Sequence, residues 1–133
     1  MDALAIDHAN LRIPPDSIDE ALDFYVGKLG FEAEGLSAFE QGELPFVAIR
    51  LTDRSTIHLW PETDFEPPGE RNFDHLAIHL EDSEQTIRET LSGANIVDQR
   101  EVLGASGWAQ SFYVRDPFGY LLELKSKHGP EFG

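Results

Sequence analysis

The feature that most constrains how this chain can fold is an internal repeat. The segment IDHANLRI (6–13) returns 67 residues later as FDHLAIHL (73–80). Branched apolar residues alternate with polar ones in the first copy, which is typical of a half-buried strand. A helical pattern and three strand patterns follow each copy. The sequence therefore predicts an α+β fold of two tandem βαβββ modules, about residues 4–60 and 73–126, within one domain that spans the chain.

In the first module, Asp16 or Ser17 can cap a helix that ends at Gly30. The apolar positions of this helix follow a period of about 3.6 residues and are Ile18, Ala21, Leu22, Tyr25 and Leu29. The three strand patterns that follow are FEAEGLSAF (31–39), LPFVAIRLT (44–52) and STIHLW (55–60).

In the second module, Asp82 and Gln85 predict a capping box for a helix that runs through Leu91 and ends at Gly93. The strand patterns are NIVDQREV (95–102), WAQSFYVR (108–115) and GYLLELK (119–125). A linker rich in proline and charge joins the modules at 61–72, and a flexible tail that includes His128 is predicted at 127–133.

Four side chains occupy corresponding positions in the two modules. His8 corresponds to His75 on the first strand of each module. When LTDRSTIHLW is aligned with VRDPFGYLLELK, His58 corresponds to Glu123 on the last strand. His79 shares a strand face with His75, but the two lie about 13 Å apart on an extended strand. We therefore interpret His79 as lining a cavity or packing, and not as a metal ligand.

The charge of the chain excludes some classes of partner. Twenty-five acidic residues against ten basic ones give a net charge of −15. Such a surface repels nucleic acid and anionic membranes, so neither is an expected partner. An acidic surface poor in lysine resembles that of proteins from salt-loving microbes, although an ordinary acidic bacterial protein is the alternative.

The absence of cysteine in the sequence restricts the chemistry further. It excludes disulfides, thiolate catalysis and zinc held by sulfur, so a metal ion would have to be bound by His, Asp or Glu. The N-terminal residues lack the basic and apolar regions of a secretion signal, and no apolar run approaches the roughly 20 residues that cross a bilayer. A cytoplasmic location is therefore expected.

The chain resembles the vicinal oxygen chelate superfamily, which includes glyoxalase I, extradiol dioxygenases, methylmalonyl-CoA epimerase, and fosfomycin-resistance and bleomycin-binding proteins. The segments that carry the resemblance are IDHANLRI, ALDFYVGKLGFE, FDHLAIHL and FYVRDPFGYLLELK. The most specific is the last, in which Asp-Pro-x-Gly precedes a strand with an inward Glu. The resemblance covers about residues 4 to 126.

This resemblance implies the glyoxalase/bleomycin resistance/dioxygenase fold, in which the modules form a cupped mixed sheet around one divalent ion. Carried over residue by residue, the ligands are His8, His58, His75 and Glu123. Imidazole with carboxylate suits Mn, Fe, Ni, Co or Zn, and four such ligands leave open positions on an octahedral ion. A small-molecule substrate can then chelate through two adjacent oxygens. A homodimer is also implied.

The implied function is a glyoxalase I-like lyase or isomerase in which Glu123 is both ligand and base. His58 stands where glyoxalase I commonly has Glu, which departs from the symmetric two-Glu arrangement. A non-haem iron dioxygenase and a non-catalytic binding or resistance protein are the alternatives, because fold likeness does not fix a reaction. Period-2 spacing adds Asn10, Arg12 and Trp60 as substrate-binding candidates, and Tyr113 is a further candidate for an anionic substrate. Arg50 and Arg115 could play the same role or lie at the surface.

Overall fold

The computed structural model describes residues 1–69 and 73–127. The chain divides into two compact units, one formed by residues 1–66 and the other beginning at residue 67. Each unit contains one four-stranded mixed sheet. The predicted α+β class with two βαβββ modules is therefore confirmed. Among the described residues, no helix has the length and apolar character that a membrane-spanning helix needs.

The first unit contains four strands, two short α-helices and one π-helical segment. The strands are β1 (His8–Ile13), β2 (Glu32–Glu34), β3 (Val47–Thr52) and β4 (Ser55–Pro61), and the helices are α1 (Ile18–Leu22) and α2 (Leu36–Glu40). The sheet order is β1-β4-β3-β2, in which β1 and β4 are parallel and the other pairs are antiparallel.

The second unit repeats this topology. Its elements are β5 (Leu76–His79), α3 (Glu84–Thr90), β6 (Ile96–Gly104), β7 (Gly107–Arg115) and β8 (Leu121–Lys125). The sheet order is β5-β8-β7-β6, again with the first and last strands parallel. The first strand of a module therefore lies beside its last strand in both units.

The strand registers show that the first and last strands of the two modules pair at equivalent positions. Asn10 on β1 lies opposite His58 on β4. Ala77, which is 67 positions after Asn10, lies opposite Glu123 on β8. The alignment of His58 with Glu123 that the sequence predicted is therefore present in the strand pairing itself.

One face of each sheet is apolar and buried, and the opposite face presents the candidate ligands. On β1 and β4 the fully or nearly fully buried side chains are Leu11, Ile13, Ile57 and Leu59. On β8 they are Leu122 and Leu124. Because successive strand residues point to opposite faces, His8 and His58 share the other face of the first sheet, and Glu123 lies on the corresponding face of the second.

Three local predictions were wrong. The stretch 31–39 is not one strand, because Gly35 adopts a left-handed conformation (φ 78°) after β2 and α2 follows. The first helix does not keep a 3.6-residue period, since a π-helical stretch follows α1 at Asp23–Lys28. It ends as predicted, with Gly30 at φ 82°.

The third wrong prediction concerns the cap of α3. The cap is Ser83, whose hydroxyl accepts the backbone N–H of Thr86 at 3.2 Å. Asp82 lies outside the helix, where its carbonyl accepts the N–H of Lys127 at 3.0 Å. That bond also ties down the first residue of the predicted tail, whose other residues, His128 included, lie outside the described residues. Residues 70–72 of the predicted linker lie outside them too.

Candidate metal centre

The carboxylate of Glu123 is buried and accepts hydrogen bonds from the neighbouring strand. The residue is 3% exposed and lies on β8 opposite Tyr113 of β7. The Tyr113 hydroxyl donates to Oε1 at 2.9 Å, and the Ser111 hydroxyl donates to Oε2 at 2.7 Å. Charged acceptors make hydrogen bonds roughly twice as strong as neutral ones. The two hydroxyls therefore fix the orientation of this carboxylate.

His75 lies between two carboxylates. It immediately precedes β5, so the strand that the sequence predicted from residue 73 begins three positions later than expected. Its Nδ1 is 2.5 Å from Asp74 Oδ1, and its Nε2 is 3.0 Å from Glu123 Oε1. A neutral imidazole has one N–H and one acceptor nitrogen. The two ring nitrogens therefore each lie against a carboxylate oxygen, and a neutral ring can donate to only one of them.

The corresponding pair in the first unit is a stack of rings. The His8 and His58 centroids are 4.2 Å apart with planes at 14°, and Phe46 stacks on the other side of His58, also at 4.2 Å. The His8 side chain is 42% exposed. His58 is partly buried, and burial together with the charge of His8 lowers its pKa, while Asp7 opposes the shift. A lowered pKa favours the neutral imidazole, which is the form that binds a metal.

The same Asp–His contact begins both modules. Asp7 Oδ2 lies 2.8 Å from His8 Nδ1, which matches the contact of Asp74 with His75. A carboxylate on one ring nitrogen fixes the tautomer and orients the other nitrogen toward a metal. The sequence reasoning did not assign roles to Asp7 and Asp74. The dipeptide Asp-His, repeated 67 residues apart, was the signal that could have identified them.

Tyr113 contacts Glu123 and a guanidinium. Burial first and then the hydrogen bond to Glu123 raise the pKa of Tyr113, although Arg100 acts in the opposite direction. The guanidinium carbon of Arg100 lies 5.0 Å from the centre of the Tyr113 ring. A raised pKa keeps the hydroxyl protonated, so it remains a donor to Glu123.

His75, Tyr113 and Glu123 line a cavity of roughly 430 Å³ within the second unit. His79 and Lys125 also line it, together with apolar residues that include Val102 and Leu103. The placement of His79 agrees with its interpretation as a cavity-lining residue. The volume lies within the range typical of small-molecule sites.

The other substrate-binding candidates lie in the first unit. Asn10 and Arg12 are exposed on the face of β1 that carries His8. The Arg12 guanidinium pairs with Glu62 at 2.8 Å and lies 5.2 Å from the Trp60 ring centre. Arg50 binds Glu34 at 2.8 Å, and Arg115 donates to the Gly119 carbonyl at 2.9 Å. The substrate-binding assignments remain predictions.

The four predicted ligands form two pairs, one within each unit. Within residues 1–69 and 73–127, no three or more His, Asp or Glu side chains form a group that could hold a metal ion. The donor types nevertheless fit a borderline divalent cation, because imidazole and carboxylate are the ligands that such ions accept.

A sequence profile of the glyoxalase/bleomycin resistance protein/dioxygenase superfamily matches residues 5–124 of the chain. The chain belongs to this superfamily. The superfamily includes many enzymes and some non-catalytic members, and its proteins bind small molecules and often form dimers. Comparison with curated protein sequences finds no match.

Solved structures with the same fold include members of this superfamily. Virulence protein STM3117 from Salmonella typhimurium is 26% identical with a TM-score of 0.74, and the alignment covers 96% of this chain and 100% of that one. A glyoxalase family protein from Enterococcus faecalis is 21% identical, with a TM-score of 0.67 and coverages of 91% and 96%. A glyoxalase/dioxygenase from Nostoc punctiforme is 16% identical, with a TM-score of 0.68 and coverages of 97% and 99%.

Proposed function

We propose that this protein is a divalent-metal-dependent enzyme, similar to glyoxalase I, that catalyses lyase or isomerase proton transfer on a small substrate with two adjacent oxygens. The proposed ligands of a single ion (Mn, Fe, Ni, Co or Zn) are His8, His58, His75 and Glu123. Membership of the superfamily makes this chemistry available, and the donor types suit it. A cytoplasmic homodimer remains a prediction.

The observation that carries the proposal is the position of His75. Its Nδ1 lies against Asp74 and its Nε2 lies 3.0 Å from the buried Glu123 carboxylate. Two carboxylates around one imidazole attract positive charge to Nε2. A divalent ion there would be held by the imidazole and by the Glu123 carboxylate, and the Asp74 contact would orient the ring for it.

The residues of the second unit supply what a proton transfer needs. A bound cation would act as a Lewis acid that lowers the energy of negative charge developing on the substrate oxygens. Glu123 is the proton acceptor, because it is the carboxylate that lines the cavity. The Ser111 and Tyr113 hydroxyls hold both of its oxygens in place.

Two alternatives remain within the superfamily. Two imidazoles and one carboxylate form the facial set of non-haem iron dioxygenases, which would need iron and consume O₂. A non-catalytic binding protein is favoured by a different observation, namely that the cavity lies within one unit and has apolar walls. A binding protein of that kind would take up its ligand without a metal ion.

Metal titration of three matched variants tests the proposal. Glu123→Gln keeps the shape of the side chain and removes its charge, so the affinity for Mn, Ni, Co or Zn should fall by roughly 100-fold. His58→Gln removes a neutral ligand and should cost about tenfold. His79→Gln alters the same cavity without removing a proposed ligand, so it should retain the affinity of the unmodified protein.

Elemental analysis of protein purified without chelators completes this test. Protein that contains no divalent ion and binds none on titration would contradict the proposal and leave the binding function. Metal loss in His79→Gln equal to that in Glu123→Gln would mean that the ligand set is wrong. Oxygen uptake that depends on added iron would favour the dioxygenase.

A further inference from the structure

Lys125 is a buried cation in the wall of the cavity, two residues after Glu123 on the same face of β8. It is 5% exposed and is one of only three lysines in the chain. Its Nζ donates to the carbonyl of Gly107, the first residue of β7, at 2.8 Å. Among the described residues, Lys125 forms no ion pair with a carboxylate.

A buried ammonium without a counter-charge is costly, because it has lost the solvation that water provides. The protein has a net charge of −15, so a buried cation that pairs with none of the described carboxylates is unusual in it. One hydrogen bond to a carbonyl uses one of the three donors of an ammonium. An anionic group of a ligand in the cavity would supply both the missing charge and further acceptors.

We propose that Lys125 determines substrate class by binding a carboxylate at one end of this cavity, so that the ligand is a small organic monoanion with an apolar stem. Glu123 and Lys125 are two strand residues apart, so their α-carbons are separated by about 7 Å. Val102, Leu103 and Ala105 contribute apolar surface to the same cavity. A ligand of this kind would present its carboxylate to Lys125 and its other end to His75 and Glu123.

The charges around the cavity favour a monoanion over a dianion. Lys125 is the cation that lines it, while Glu123 contributes a carboxylate, and His75 and His79 are the other titratable groups besides Tyr113. A phosphate dianion would leave a second negative charge beside Glu123 without a matching cation. This inference deepens the proposed function, because it names the substrate class for the same cavity, but its test needs no metal.

The test compares hexanoate with hexanamide, which have the same shape and differ in charge. Binding to metal-free, ¹⁵N-labelled protein is followed by NMR titration, with the amides of Gly104 and Ser106 as reporters at the cavity. Hexanoate should bind about tenfold more tightly than hexanamide, because a charge-assisted hydrogen bond forms only with the carboxylate. Failure of hexanoate to bind, or equal affinities for the two probes, would overturn the proposal.

Matched variants assign any preference to Lys125. Lys125→Met should remove the preference for hexanoate, whereas Lys127→Met removes the same charge from an exposed side chain and should retain it. A β-carbon at residue 104 would overlap Lys125 Nζ, which is the flexible end of its side chain. Gly104→Ala should therefore fold normally, displace the ammonium and weaken hexanoate binding.

A preference that survives in Lys125→Met contradicts the inference. A lost preference in Lys127→Met contradicts it as well, because a general effect of charge would then explain the result. Since all these titrations use metal-free protein, their outcome is separate from that of the metal titrations of Glu123→Gln.

Discussion

The two units share one topology and one strand register, yet they place charge differently. In the first, His8 and His58 belong to a stack of rings and the His8 side chain is 42% exposed. In the second, the residue at the position of His58 is Glu123, which is 3% exposed and accepts hydrogen bonds from Ser111 and Tyr113. The repeat therefore fixes where a side chain attaches, and its neighbours determine what chemical environment it has.

Stability measurements should separate these two environments. Tyr113→Phe removes a donor to a buried carboxylate, and hydrogen bonds to charged groups contribute about 1.5–3 kcal/mol. We expect the free energy of unfolding in urea to fall by about that amount. His58→Phe is the matching change in the first unit, where it keeps a ring between His8 and Phe46 and should cost less than about 1 kcal/mol.

Equal losses in Tyr113→Phe and His58→Phe would contradict the comparison. A larger loss in His58→Phe would indicate that the first unit contains the more tightly constrained site.

Salt should stabilise the first unit more than the second. Residues 1–66 contain fourteen acidic and four basic residues, a net charge of −10, while residues 67–133 contain eleven and six, a net charge of −5. Self-repulsion that salt screens is therefore stronger in the first unit. Between about 0.05 M and about 2 M KCl, the melting temperature should rise, and amide exchange should slow more in β1–β4 than in β5–β8.

A melting temperature that does not change across this range would contradict the interpretation of the acidic surface as an adaptation to salt. If amide exchange slowed equally in the two sheets, salt would stabilise both units to the same extent, and the predicted difference between them would be wrong. Measurements in KCl and in NaCl at equal concentration are the control for specific ion binding, because screening alone should give the same melting temperature in both salts.

The smallest expected effect concerns the Glu34–Arg50 ion pair between β2 and β3. The hydrogen bond from Arg50 lowers the pKa of Glu34 from its ordinary value of 4.5. Because the folded-state pKa is below the unfolded one, the pair stabilises the fold above about pH 4.5 and this contribution is lost as the pH falls through the lowered value. Both side chains are partly exposed to solvent, which screens the pair, so the effect should be close to the resolution of a melting experiment.

Glu34→Gln should therefore reduce slightly the acid sensitivity of the melting temperature below that pH. Glu32→Gln is the control, since Glu32 lies opposite Arg50 in the register but does not form its hydrogen bond. An identical acid response in both variants would show that the pair does not contribute.

The topology could be predicted because it depends on local patterns that occur twice. The repeat of IDHANLRI as FDHLAIHL gave the order of elements, and the alignment of the last strands gave the correspondence of His58 with Glu123. Gly30 and Gly93, both at positive φ, end the helical segments where the sequence indicated.

The environment of the site could not be predicted in the same way. The hydroxyl groups that donate to Glu123 come from β7, so these contacts depend on the register of an antiparallel pair that no local pattern specifies. Tyr113 was identified as a substrate-binding candidate, but its contact with Glu123 was not. The prediction of one strand over 31–39 failed because period-2 spacing did not reveal the left-handed conformation of Gly35.

The cross-strand pairs Asn10–His58 and Ala77–Glu123 occupy equivalent positions in the two sheets. This equivalence has a consequence for how the sequence of such a chain can diversify. A duplicated module provides two equivalent backbone positions for each side chain, one in each copy. One copy can exchange the side chain at this position while the other keeps its own, and neither exchange has to alter strand pairing. His58→Glu would thus give both copies the same side chain at this position of the sheet.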